Sequence, residues 1–272
     1  MSETIALLGL GEAGGLLARD LVAAGAVVRG YDPAVAAGDG VVDTKSEAAA
    51  AHGAGLVLSV NSSSASVGAL RAGLPGANGA IWADLNTSSP GKKRELAAIA
   101  AEAGVPFADL AIMAPVPGRG LRVPMLASGV AAKDAARILT SLGASVEVMD
   151  GDAGLAAERK LLRSVFFKGM SAAVVEALEA ARAAGCEDWL REVIVAELSG
   201  ADKDTVDRLE TGSRKHAVRR TAEMAAAAEM LGELGVPNEV AAASRDQLAR
   251  LAEGSSGRSN ATSVPRLGEE LR

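Results

Sequence analysis

The chain has 272 residues, 49% of them hydrophobic and only 2% aromatic, and its 28 Lys+Arg against 34 Asp+Glu give a net charge of -6. That length can bury a sizeable core in two domains, while an acidic balance without a long basic stripe argues against a nucleic-acid partner. With no charged-then-apolar leader, no uninterrupted apolar run fit for a bilayer, a lone Cys186 and two histidines, the expectation is a cytoplasmic protein without disulfide, membrane partner or metal.

The first element is the most informative. An apolar strand, Ile5-Ala6-Leu7-Leu8, runs into Gly9-Leu10-Gly11-Glu12-Ala13-Gly14, then an alanine-rich helix and a second strand ending at Asp32. This is the dinucleotide fingerprint in its proper setting: Gly9 permits the tight turn, Gly11 lets the backbone approach a pyrophosphate, and Gly14 allows close helix–strand packing. The helix N-terminus offers unpaired N–H groups and a positive dipole end to the phosphates, and Asp32 accepts the adenosine ribose hydroxyls. A tight βα turn without a ligand is the plain alternative. Asp32 is followed by Pro33-Ala34 with no adjacent Arg, so NAD is expected over NADP.

Further along, β-rich runs at 26–31, 56–60, 80–84, 106–110, 124–128 and 145–149 alternate with helical segments such as 90–103 and 131–142. The alternation predicts a largely parallel sheet with helices on both faces. Asn61 and Asn86 follow two of these strands and are expected to face the cofactor. After about residue 150 only helical spacing remains, over 154–184, 187–198, 213–234 and 238–252, with Gly185 and Gly235-Val236-Pro237 as stops. The expected fold is therefore α/β, a Rossmann dinucleotide-binding domain over 1–152 followed by an all-α domain over 153–272. The Gly/Ser/Asn-rich stretch 254–265 reads as a mobile or surface-laid tail.

The long helix that opens the second half carries Lys160, Ser164, Lys168 and Ser171 about one turn apart on one stripe, with Leu162, Val165, Phe166 and Gly169 on another. A lysine on such a stripe is often simply solvated. Here Arg159 and Arg163 flank Lys160 and disfavour a further positive charge, which suits a proton-transfer group. His216, Arg219 and Arg220 read as neighbouring turns of one helix face, able to clamp a carboxylate, sulfonate or phosphate, or else as a basic face paired with Glu223. Arg119 and Arg122 lie in a Gly/Pro-rich loop at the expected ligand edge, where they touch substrate or are plain surface charges.

Four blocks together resemble the β-hydroxyacid dehydrogenase superfamily, which includes 3-hydroxyisobutyrate and 6-phosphogluconate dehydrogenase-like enzymes. Gly9-Leu-Gly-Glu-Ala-Gly14 is similar to its cofactor signature, Asp84-Leu-Asn-Thr-Ser-Ser-Pro90 to the segment over the nicotinamide side, and Met113-Ala-Pro-Val-Pro-Gly118 to the substrate-binding block. Lys160 stands in the place of the catalytic lysine. The chain departs from the pattern at Pro117, where Ser is usual, at Arg119, where Gly is usual, and at Ser164, where Asn is usual. The combination with Phe166-Phe-Lys-Gly169 and 214–220 looks like a bacterial branch with a short 6-phosphogluconate dehydrogenase-like C-terminal domain.

The resemblance implies hydride transfer between a small hydroxy acid and its carbonyl compound, with Lys160 as general acid/base and Ser164 orienting the reacting oxygen. The substrate would be a small anion met by Pro117, Gly118, Arg119, Lys168, His216 and Arg219. It also implies a homodimer through the C-terminal domain. Imine reductases share the architecture but commonly replace the lysine by Asp or Tyr; a non-catalytic dinucleotide-binding protein and a decarboxylating sugar-phosphate enzyme are further alternatives.

Overall fold

The computed structural model describes residues 2–260. Two compact units divide the chain, the first ending at Ser164 and the second beginning at Val165. In chain order the first holds β1 (Thr4–Leu8), α1 (Glu12–Ala23), β2 (Val27–Tyr31), β3 (Val42–Asp43), α2 (Glu47–Ala51), β4 (Leu56–Ser59), α3 (Ser66–Gly73) and β5 (Ile81–Asp84). It continues with α4 (Pro90–Glu102), β6 (Phe107–Ile112), β7 (Pro124–Ser128), α5 (Ala132–Ser141), β8 (Ser145–Val148) and the first turns of α6 (Leu155–Ala183).

All eight strands join one sheet in the order β3-β2-β1-β4-β5-β6-β7-β8. Every pairing is parallel except β6 with β7, so the sheet is the expected largely parallel one. Its strands alternate between two cores, as period-two side chains must. Ile5, Leu7, Leu56, Leu58 and Ala83 face Leu17 and Leu21 of α1 and Ile138 and Leu139 of α5. On the opposite face Ala6, Leu8, Val57, Trp82 and Phe107 meet Ala50, Leu70, Leu96 and Ala100 of α2, α3 and α4. Burial on both faces explains the unbroken apolar runs of β1 and β4. The order reverses between β1 and β4, and the crevice outside the carboxyl ends of strands at such a switch point is where open α/β sheets bind ligands.

The second unit contains the rest of α6, then α7 (Glu187–Ser199), α8 (Thr205–Lys215), α9 (Ala217–Glu233) and α10 (Glu239–Asn260). The carboxylate of Glu176 on α6 accepts the N–H groups of Val240 and Ala241 at 2.7 and 2.8 Å, which caps the start of α10. Among the described residues no helix is long and apolar enough to cross a membrane.

Two expectations change. The helix expected over 213–234 is two helices, because His216 takes φ -112 and ψ 24 between α8 and α9; α8 begins at a Thr205–Asp202 hydrogen-bonded turn that sequence periodicity missed. The backbone of α10 continues to Asn260, through the first part of the expected tail, and residues 261–265 of that tail lie outside the described residues. The division between the two compact units falls within α6, whose first turns, through Ser164, belong to the first. The reason is local: Asp109 and Ser128, on β6 and β7, hold the N–H groups of Gly154, Ala156 and Ala157.

Candidate active site

The glycine-rich turn joins β1 to α1 at the switch point. Gly9 sits at φ +99 and a Cβ there would press on the Val60 carbonyl; a Cβ on Gly14 would collide with the backbone of Gly9. Gly11 has open space where its Cβ would be. It occupies the N-cap position of α1 and leaves that end without a side-chain cap, so the first-turn N–H groups are available to an anion. Leu10, Gly11, Glu12, Gly15, Leu16 and Val35 line an open cleft of about 720 Å³ together with Pro117 and Gly118. Residues expected at the cofactor and residues expected at the substrate thus share one cleft.

Asp32 follows β2 beside this turn. Its Oδ2 accepts the Leu10 N–H at 2.8 Å and its Oδ1 accepts those of Ala34 and Val35 at 2.8 and 3.0 Å. Burial pushes the carboxyl pKa up, but the three backbone donors outweigh it and hold the group below the ordinary carboxylate value. A fixed negative charge therefore stands where an adenosine ribose would lie in this fold.

The opposite rim is the loop from Pro117 through Arg122. Gly118 and Gly120 have φ of 78° and 53°, and Arg119 is exposed. Asp20 on α1 accepts the Leu121 N–H at 2.9 Å. Burial raises the Asp20 pKa, whereas the Leu121 bond, the Arg19 hydrogen bond and the charges of Arg19 and Arg122 lower it further. The charge of Arg122 thus acts on Asp20 within the protein.

Past the ends of β4 and β5 lie Asn61 and Asn86. Asn86 is 6% exposed; its Nδ2 donates to Asp84 Oδ2 at 2.7 Å and Ser59 Oγ at 3.1 Å. The Oδ1 atoms of Asn61 and Asn86 are both buried without a hydrogen-bond partner. Beneath Asn86 stands a group that sequence reasoning missed. Asp84 and Asp109 are register partners on neighbouring parallel strands, and Lys93 from α4 lies between them, Nζ at 2.6 Å from Asp84 Oδ1 and 3.0 Å from Asp109 Oδ1. All three side chains are at most 1% exposed. Removing one partner from such a buried ion group costs roughly 3–5 kcal/mol. A charged residue inside the apolar β6 run was the available signal, and its match with Asp84 appears only once the strands pair.

On α6, Lys160 and Ser164 are both half-buried and fall in the first unit, whereas Lys168 is exposed and falls in the second. Leu162, Val165 and Phe166, the expected apolar stripe, are 58%, 75% and 58% exposed. His216 and Arg219 do not continue one helix face as the spacing suggested, because His216 occupies the break between α8 and α9. Arg219 pairs instead with Glu223 at 2.6 Å, and Arg220 donates to Ser213 Oγ at 2.9 Å.

With this geometry in view, comparison with known proteins is specific. Residues 4–151 match the NAD binding domain of 6-phosphogluconate dehydrogenase. The chain belongs to that family. Residues 181–251 match a domain of unknown function, DUF1932. Among solved structures, a conserved hypothetical protein from Sinorhizobium meliloti 1021 is 28% identical with a TM-score of 0.59, covering 98% of this chain and 92% of its own. The conserved protein MTH1747, described as structurally similar to 3-hydroxyacid dehydrogenases, is 26% identical with a TM-score of 0.59, covering 93% and 98%. An imine reductase from Streptomyces aurantiacus is 22% identical with a TM-score of 0.78, covering 93% and 95%, a likeness of fold. No curated protein among those compared matches the chain. The chain is thus a dinucleotide-binding oxidoreductase of the hydroxyacid dehydrogenase fold.

Proposed function

We infer that the protein interconverts a small β-hydroxy acid, or a related hydroxy acid, and its carbonyl compound by hydride transfer to or from NAD. The observation that carries the reading is Lys160, half-buried near the start of α6, in a chain whose first unit is an NAD-binding domain. The residues of the cleft fit a dinucleotide: Gly11 leaves room for a pyrophosphate, the uncapped α1 terminus supplies N–H donors, and Asp32 presents ribose-binding acceptors. When bound, the nicotinamide supplies the hydride acceptor or donor. Lys160 Nζ takes the substrate hydroxyl proton in oxidation and returns it in reduction. The shorter Ser164 hydroxyl, one turn on, orients the reacting oxygen. Asn86 and the Pro117-Gly118 backbone position the substrate, and the exposed Arg119 meets its anionic group; Arg219, engaged by Glu223, is a weaker candidate.

NAD is the preferred cofactor in this reading, because the carboxylate of Asp32 repels a 2'-phosphate and the following Pro33-Ala34 offers no cation. The working form is a cytoplasmic homodimer joined through the helical unit.

The test is turnover of NAD with a panel of short hydroxy acids, set beside NADPH-dependent reduction of cyclic imines and cofactor binding by thermal shift. Turnover of a hydroxy acid with NAD supports the reading. Imine reduction without alcohol oxidation replaces it by imine chemistry, and binding without either activity replaces it by a non-catalytic dinucleotide-binding role.

A further inference from the structure

The sheet order places β2, β1, β4 and β5 side by side. An adenosine held by Asp32 beyond β2, with its pyrophosphate at the Gly11 turn beyond β1, directs the remaining half of a dinucleotide over the ends of β4 and β5. There Asn61 and Asn86 each hold a buried oxygen without a partner. Asn86 cannot turn freely, because both hydrogens of its amide are directed at Asp84 Oδ2 and Ser59 Oγ. Asp84 is fixed in turn: Lys93 Nζ binds its Oδ1 and, at 2.7 Å, its backbone oxygen.

The same ammonium reaches Asp109. Asp109 Oδ2 accepts the N–H groups of Gly154 and Ala157, each at 3.0 Å, and Ser128, whose hydroxyl lies 3.5 Å from Asp109 Oδ2, accepts that of Ala156 at 3.1 Å. These are the otherwise orphaned donors at the start of α6, and a carboxylate there also opposes the positive end of the helix dipole. Lys160 follows Ala157 within one turn of the same helix.

We propose that Lys93 is a positioning residue of the cofactor site. Through Asp84 it sets the Asn86 amide, and through Asp109 it sets the start of α6, so the two parts facing the nicotinamide half of the dinucleotide are held to one buried cation. Two carboxylates on neighbouring strands repel each other, and without the ammonium between them both attachments shift together. Among the described residues, the hydrogen bonds that hold Asp32 run to Leu10, Ala34 and Val35 and not to this group. The proposal rests on NAD occupying the cleft as the proposed function describes.

The experiment compares NAD+ with ADP-ribose, which lacks only the nicotinamide ring, by titration calorimetry on the full chain. The variants are Lys93→Met and the double variant Lys93→Met/Asp109→Asn, which keeps an acceptor for α6 and removes the like-charge pair. Wild type is expected to bind both ligands. The variants are expected to hold ADP-ribose within about twofold and to weaken NAD+ at least fivefold, and hydrogen exchange over residues 154–160 should lose the protection that NAD+ confers on wild type. Equal weakening of both ligands, no weakening of either, or failure of both variants to fold would reduce Lys93 to a structural role and overturn the proposal. Wild type that binds neither ligand would instead overturn the cofactor reading itself, and the proposal with it.

Discussion

Asp20 Oδ2 accepts the backbone N–H of Leu121 at 2.9 Å across 101 residues of sequence. The bond ties α1, whose N-terminus lines the cleft, to the loop that forms the other rim. Gly120 fits against this carboxylate only because it has no Cβ, and its φ of +53 favours glycine in any case. Asp20→Ala should lower stability by about 1–2 kcal/mol, the scale of a partly exposed hydrogen bond to a charged group. It should also raise the KM of the eventual substrate more than the Kd of NAD. Urea unfolding with steady-state kinetics checks both, and an unchanged KM would detach the loop from substrate binding.

In the proposed reading, cofactor choice turns on Asp32. Its carboxylate is held by three backbone donors, so it cannot swing away from a 2'-phosphate without breaking them. Asp32→Ala should narrow the ratio of NAD to NADP catalytic efficiency, chiefly by losing NAD affinity. Wild type with higher efficiency for NADP would contradict this reading of the second strand.

Lys160→Ala should lower turnover by roughly a hundredfold or more, the scale of general acid–base catalysis, while NAD affinity hardly changes. The split matters because a residue needed only for folding would shift both. Near-normal turnover in the variant would move the proton-transfer role elsewhere, with Lys168 the next residue to substitute.

The cofactor turn was legible in the sequence because its parts are local: a strand, three spaced glycines, a helix and an acid at the next strand end are contiguous over Thr4 to Asp32. The strands from β4 to β8 were legible for the same reason, β4 to β7 as short, mostly apolar runs between turn residues and β8 as the alternating Ser145-Val-Glu-Val148. Lys93 was not, since a lysine within the charged helix start Lys92-Lys93-Arg94-Glu95 looks solvated until Asp84 and Asp109 are brought into register beneath it. His216 was misread because helical periodicity runs through the α8–α9 break without a Gly or Pro to mark it.

Asp32 also sets a pH dependence. Its folded pKa lies below the ordinary value of 3.8, so its ionised form is the one the fold stabilises. That contribution is complete above the unfolded value and is lost as pH falls through the folded one. The stability advantage of wild type over Asp32→Asn should therefore stay level from about pH 5 upward and shrink below it, as read from urea midpoints across that range. An advantage that grows on acidification would reverse the assigned sign.

The helical unit leaves apolar surface exposed, which the proposed homodimer would cover. No residue of α7 or α8 is buried, although Trp189, Val195, Leu198, Val206 and Leu209 on these helices are 63%, 57%, 51%, 66% and 52% exposed. Beside them, a cavity of about 470 Å³ is walled by alanines of α6 together with Trp189, Leu190, Met230 and Leu231. Alanine faces permit close backbone approach but fill little volume, and apolar patches left exposed in this way mark association surfaces. Covering this surface would contribute to folding itself, which makes stability depend on chain concentration. Light scattering at micromolar concentration should give twice the 27.3 kDa of one chain, and Trp189→Glu should shift the protein toward monomer and lower its Tm. A mass near that of one chain with full activity retained would end the dimer proposal.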